Sequence, residues 1–117
     1  MDMNGVLVSR TDFLVAPAIV PSQNETISRS EVAGNRATFV LPLYLDIEVG
    51  DEYALYVDTD GQWNWFTFGE IASTTEVVTR RLYDALFVGA TSASAYYSIK
   101  KQSGEMRSHQ SIYQVVD

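Results

Sequence analysis

The sequence predicts an all-β protein, an antiparallel sandwich of about seven strands, and three observations carry that expectation. Apolar residues alternate with polar ones over several short runs, turn residues separate the runs, and no stretch sustains the apolar period of a long helix. A chain of 117 residues has room for one core and not for two. Residues 1–117 are therefore read as a single domain, with 1–12 as a flexible N-terminal segment.

In chain order, residues 13–21 are apolar but interrupted by Pro17 and Pro21, which cannot donate to a ladder and confine a strand to a broken edge. Residues 22–35 are polar and read as a loop with one turn of helix at most. Residues 36–42 are β-branched and aromatic and end at Pro42, a strand closed by a turn. A Gly50-Asp51 turn then launches the most distinctive stretch, residues 50–68. There, Tyr53, Leu55 and Val57 share one strand face and are assigned to the core, while Ala54, Tyr56 and Asp58 share the other. Asp60-Gly61 reads as the hairpin turn, because an Asp-Gly pair between alternating apolar runs is the strongest short-range hairpin signal. On the return strand Trp63, Trp65 and Thr67 oppose Asn64, Phe66 and Phe68, so a regular strand makes the two tryptophans either both buried or both available. Residues 76–83 form a further strand, 84–88 a short helical turn, and 96–101 with 106–116 a long terminal hairpin about the 102–105 turn. Neither an internal repeat nor a linker is present.

Fifteen acidic and eight basic residues give a formal charge of −7, which repels phosphate backbones and argues against nucleic-acid binding. The same balance suits a basic partner. No run approaches the roughly 20 apolar residues of a membrane-spanning helix, so no membrane insertion is expected. Without a basic, then apolar, N-terminal signal, the compartment is read as cytoplasmic or reached by non-classical secretion. The chain has no cysteine, which removes disulfides and thiolate metal sites.

No catalytic group, metal ligand set or cofactor is expected. A nucleophile-base arrangement would rest on His109, the single histidine, without a Gly-x-Ser-x-Gly elbow beside it. Asp46, Glu48, Asp51, Glu52, Asp58, Asp60 and Glu70 cluster in one third of the chain. Their spacing follows turns, where Asp bonds to nearby backbone and tolerates unusual dihedrals. Residues 58–61 lack the further acidic positions of a calcium loop, and the glycines sit at separate turns rather than in a phosphate cradle.

Residues 16–21, 37–44 and 47–56, together with the late runs 93–99 and 111–115, resemble the bacterial immunoglobulin-like modules of large surface and secreted proteins. The resemblance runs from about Phe13 onward and implies an immunoglobulin-like sandwich serving as a spacer, adhesive or binding unit, with no catalytic residues to transfer. It also suggests Tyr96 or Tyr97 as a tyrosine-corner residue. Residues 61–68 are more aromatic than that position needs.

Those aromatics supply the candidate site: Tyr56, Trp63, Trp65 and Phe66, with Phe68 in the same group. Trp and Tyr combine large apolar area with a polar handle and anchor protein partners or stack on sugars; the competing role is plain core filling. The leading expectation is a non-enzymatic immunoglobulin-like interaction or adhesion module that binds a protein. A carbohydrate-binding domain using Trp63 and Trp65, or a small acidic inhibitor of a basic surface, are the alternatives.

Overall fold

The computed structural model describes residues 13–117; the segment 1–12, read above as flexible, lies outside the described residues. The described residues form a β-sandwich of nine strands. One sheet has the order β1 (Ala18–Val20), β3 (Thr38–Leu41), β6 (Val78–Arg81). The other runs β2 (Thr26–Ser28), β9 (Ser111–Val116), β7 (Ser92–Lys101), β4 (Glu52–Thr59), β5 (Trp65–Glu70), and β8 (Gly104–Arg107) pairs with the far half of β7. A four-residue helix, α1 (Arg29–Val32), and a 3₁₀ turn at Asp84–Phe87 complete it.

The inner faces follow from alternation. Tyr53, Leu55 and Val57 of β4 are buried, as their parity requires, and meet Ala95, Tyr97 and Ile99 of β7 in register. Ile19, Phe39 and Leu41 cover them from the opposite sheet. Packing two such faces removes apolar area from water at roughly 25 cal/mol per Å².

The proline-bearing start of the chain is a short edge strand, as expected, and tyrosines fasten it. Burial pushes the Tyr97 hydroxyl pKa up, so it stays protonated and donates to the Val15 carbonyl at 2.6 Å. The Tyr113 hydroxyl accepts from the Ile19 N–H at 2.9 Å, and Ser111 donates to the Pro17 carbonyl. A tyrosine corner bonds backbone a few residues upstream; the Tyr97 bond spans 82 residues, and Tyr96 points to the outside instead.

Four expectations need correction. The strand count is nine rather than about seven, and the larger sheet is mixed, because residues 26–28 are not loop but β2, parallel to β9. Only Ile27 of that segment is buried, too little pattern to declare a strand. The terminal segment 106–116 is two strands, not one. Between them Ser108 turns inward, its hydroxyl accepting from the Tyr97 N–H at 2.9 Å and its own N–H donating to the Tyr97 carbonyl. Asp60-Gly61 is not a two-residue turn: residues 60–64 join β4 to β5, and Gly61 does not take a left-handed φ.

Asp51, Tyr44 and Lys101 form a buried polar cluster at the start of β4. The Asp51 carboxylate, 5% exposed, accepts from Tyr44 Oη (2.7 Å), the Glu48 N–H (3.0 Å) and Lys101 Nζ (2.9 Å). Lys101 also reaches the Asp46 carbonyl and Glu48 Oε1. Asp46 sits at φ +62°, the unusual turn dihedral expected of an Asp.

Candidate functional site

The side of the larger sheet that faces away from the core carries the exposed aromatics. Register places them in rows across the strands. Phe66 lies opposite Tyr56, which lies opposite Tyr96. The next row reads Phe68, Ala54, Ser98, Arg107, and the next Glu70, Glu52, Lys100, Glu105. Phe66 and Phe68 are 66% and 71% exposed and lie side by side on one face.

The rings pair two by two. Tyr56 and Tyr96 stack with centroids 4.9 Å apart and planes 13° from parallel. Arg107 lies over the Tyr96 ring at 5.4 Å, a cation–π contact. Phe66 and Phe68 are also near-parallel, at 6.5 Å. The Tyr96 hydroxyl donates to Asp58 Oδ2 at 2.9 Å; burial, then that hydrogen bond, raises its pKa. The result is an aromatic ridge, anchored at its Tyr96 end.

Beside the ridge the small side chains of Ala54 and Ser98 leave an open groove of ≈ 550 Å³ between Tyr56 and Phe68. Ser98 is only 7% exposed, and its hydroxyl has no hydrogen-bond partner among the described residues. The hydroxyl lines the groove and can donate to or accept from a ligand group there.

Of the predicted site residues, the fold brings Tyr56 and Phe66 together and separates the tryptophans. Regular β5 begins at Trp65. Trp65 turns inward and packs on Phe39, centroids 5.8 Å apart, while Trp63 sits in the connection, 57% exposed. The premise that both share one fate fails, because Trp63 is not in the strand. Sequence reasoning missed Tyr96, Ser98 and Arg107, which join the site only through register. Phe68 was visible as the parity mate of Phe66.

The connection 60–64 is held against the neighbouring turn. The Asp60 carboxylate accepts from the N–H groups of Thr91 (2.7 Å) and Ser92 (3.0 Å) and from the Thr91 hydroxyl. Those bonds, led by the one from the Thr91 hydroxyl, hold the Asp60 pKa down to about 2. Gly61 is needed for the same contact: a Cβ there would meet the Val88 carbonyl at 3.2 Å and the Ala90 nitrogen at 3.3 Å. Within the connection, Asn64 Oδ1 accepts from the Thr59 N–H and Thr59 Oγ1 donates to the Trp63 carbonyl. Asp60→Ala is expected to release this anchor. Amide hydrogen exchange at Thr91 and Ser92 should accelerate while β4 and β7 centres keep their protection; unchanged exchange would show the anchor to be redundant.

His109 packs its ring on Phe13, centroids 5.1 Å apart, and its N–H donates to the Leu14 carbonyl. Among the described residues no three His, Asp or Glu side chains converge to hold a metal ion, and no helix is long and apolar enough to cross a membrane. Fold and surface together define an all-β sandwich with one aromatic outer face. No protein-family model, curated protein or solved structure matches the chain.

Proposed function

We propose that this chain is a non-catalytic, immunoglobulin-like interaction module that binds a protein through the outer face of its larger sheet. The observation that carries the reading is the ridge of Phe66, Phe68, Tyr56 and Tyr96 beside the Ser98 groove. The connectivity supports the immunoglobulin-like part: β1, β3 and β6 in one sheet, β4, β7 and β9 in the other, with β5 added beside β4, is the strand division of a variable-type sandwich lacking some of its strands. The Glu70–Glu52–Lys100–Glu105 row and the net charge of −7 favour a partner that sets a basic residue next to apolar ones, so binding weakens with salt.

Sugar binding fits less well, because a pyranose stacks on an open ring face. Tyr96 is covered on one side by Tyr56 and on the other by Arg107, and Trp65 is turned to the core, so of the two tryptophans only Trp63 is open to a sugar. The test is a parallel screen of the wild-type protein and the Phe66→Ser/Phe68→Ser variant against displayed peptides and a glycan array. Peptides retained by the wild type and lost by a folded double variant, with a blank array, are expected. Glycan binding that Trp63→Ala abolishes, or turnover in the purified protein, would replace this reading.

A further inference from the structure

The outer edge of β5, which has no partner strand among the described residues, has the length, chemistry and register to pair with itself. β5 ends the larger sheet and runs for six residues without proline, lysine or arginine. The other edges are guarded: β1 is three residues between Pro17 and Pro21, β2 is three residues long, β6 carries Arg80 and Arg81, and the four-residue β8 carries Glu105 and Arg107. Unguarded edges of this kind are templates for strand addition.

The backbone sets which groups the edge offers. The Ile71 N–H donates to the Asp51 carbonyl and its own carbonyl accepts from the Gly50 N–H, so residue 71 directs both groups toward β4. Alternation assigns Gly69, Thr67 and Trp65 the same direction, leaving the N–H and C=O groups of Phe66, Phe68 and Glu70 to the free edge.

We infer that two copies of this chain associate by antiparallel pairing of β5 with β5, about a two-fold axis at Thr67. In that register Phe66 faces Phe68 of the second copy, twice over. These residues carry the free backbone groups, so each pair exchanges two hydrogen bonds and sets ring beside ring. Glu70 falls opposite Asn64 of the second copy rather than opposite another carboxylate. The Asn64 amide oxygen accepts from the Thr59 N–H, and its NH₂ is a donor suited to a carboxylate. Trp65 falls opposite Gly69 of the second copy, which has no side chain to obstruct it. A shift of the axis by one residue, onto Phe66 or Phe68, would still pair outward-directed backbone groups, but it sets Phe66 or Phe68 against its own copy and loses the Glu70–Asn64 match. The contact is isologous, hence closed at two copies, and it joins two aromatic ridges into one strip.

The inference concerns the edge, whereas the proposed binding function concerns the face, so a monomer that still binds peptide would overturn only the former. Sedimentation equilibrium should show a concentration-dependent dimer. Phe68→Lys, at an exposed position, should keep the fold by circular dichroism and weaken the dimer by about tenfold or more. Since the chain has no cysteine, cross-linking reports register cleanly. Two Thr67 residues at the axis are about 4.5 Å apart at Cα in a non-hydrogen-bonded pair, within disulfide range, so Thr67→Cys should cross-link on mild oxidation. Two Glu70 residues lie about 20 Å apart, so Glu70→Cys should not. A wild-type protein monomeric up to its solubility limit, a dimer indifferent to Phe68→Lys, or Glu70→Cys cross-linking as readily as Thr67→Cys would each overturn the inference.

Discussion

Phe39→Ala is expected to lower the unfolding free energy by about 3–5 kcal/mol. Phe39 is fully buried, sits at the centre of the three-stranded sheet between Ile19 and Arg80 in register, and packs on Trp65 of the opposite sheet. Removing the ring withdraws apolar contact from both layers and leaves a cavity that two hydrogen-bonded sheets cannot close over. Single domains are stable by about 5–15 kcal/mol in all, so the variant keeps a folded state with little margin. Denaturant unfolding at a concentration low enough to keep the chain monomeric measures the loss, with Phe66→Ala as the control: on the solvent face of a monomer the same aromatic truncation should stay within about 0.5 kcal/mol. Equal effects at the two positions would mean that the inner and outer faces are wrongly assigned.

The contrast between Phe39 and Phe66 also marks what the sequence discloses. Period-two alternation in residues 53–57 names the buried face of β4 correctly, because a strand with one side on a core has no other way to place Tyr53, Leu55 and Val57. The turn at 84–87 and the strand at 38–41 are legible for the same local reason. The hairpin connection is not. Asp60 and Gly61 have the composition of a tight turn, but Asp60 is engaged by Thr91 and Ser92, and Gly61 is small because the backbone of residues 88–90 passes close by. Those partners lie about thirty positions away, and no local pattern encodes them. Losing the tight turn shifts Trp63 out of the strand and uncouples it from Trp65. The candidate face was half legible for the same reason: Phe66 and Tyr56 stand out by composition, while Tyr96, Ser98 and Arg107 join them only because β7 and β8 pair in one particular register.

Lys101→Met is expected to cost about 3 kcal/mol at neutral pH, toward the lower end of the range for breaking a buried ion pair. Asp51 would keep its bonds from Tyr44 and the Glu48 N–H but lose its counter-charge in a site that is almost closed to water. In the wild type, burial works to raise the Asp51 pKa, and the bonds from Lys101, Tyr44 and Glu48 outweigh it, so the carboxyl sits below its ordinary value. The hydrogen bond from Asp51 is the main reason that the Lys101 pKa is raised. A depressed carboxyl contributes stability above its unfolded pKa of about 3.9, lost as pH falls through the folded value. A raised ammonium contributes below its unfolded pKa of about 10.4, lost as pH climbs through its folded value. The cluster is therefore fully stabilising between those limits. In Lys101→Met the burial effect on Asp51 loses its main opponent, so its pKa rises and the variant gains relative stability on acidification. The gap between wild type and variant should be widest near neutral pH and close as Asp51 protonates in the wild type. Chemical denaturation at a series of pH values measures it; a gap that stays constant down to strongly acidic pH would mean that Asp51 is not charged in the native cluster.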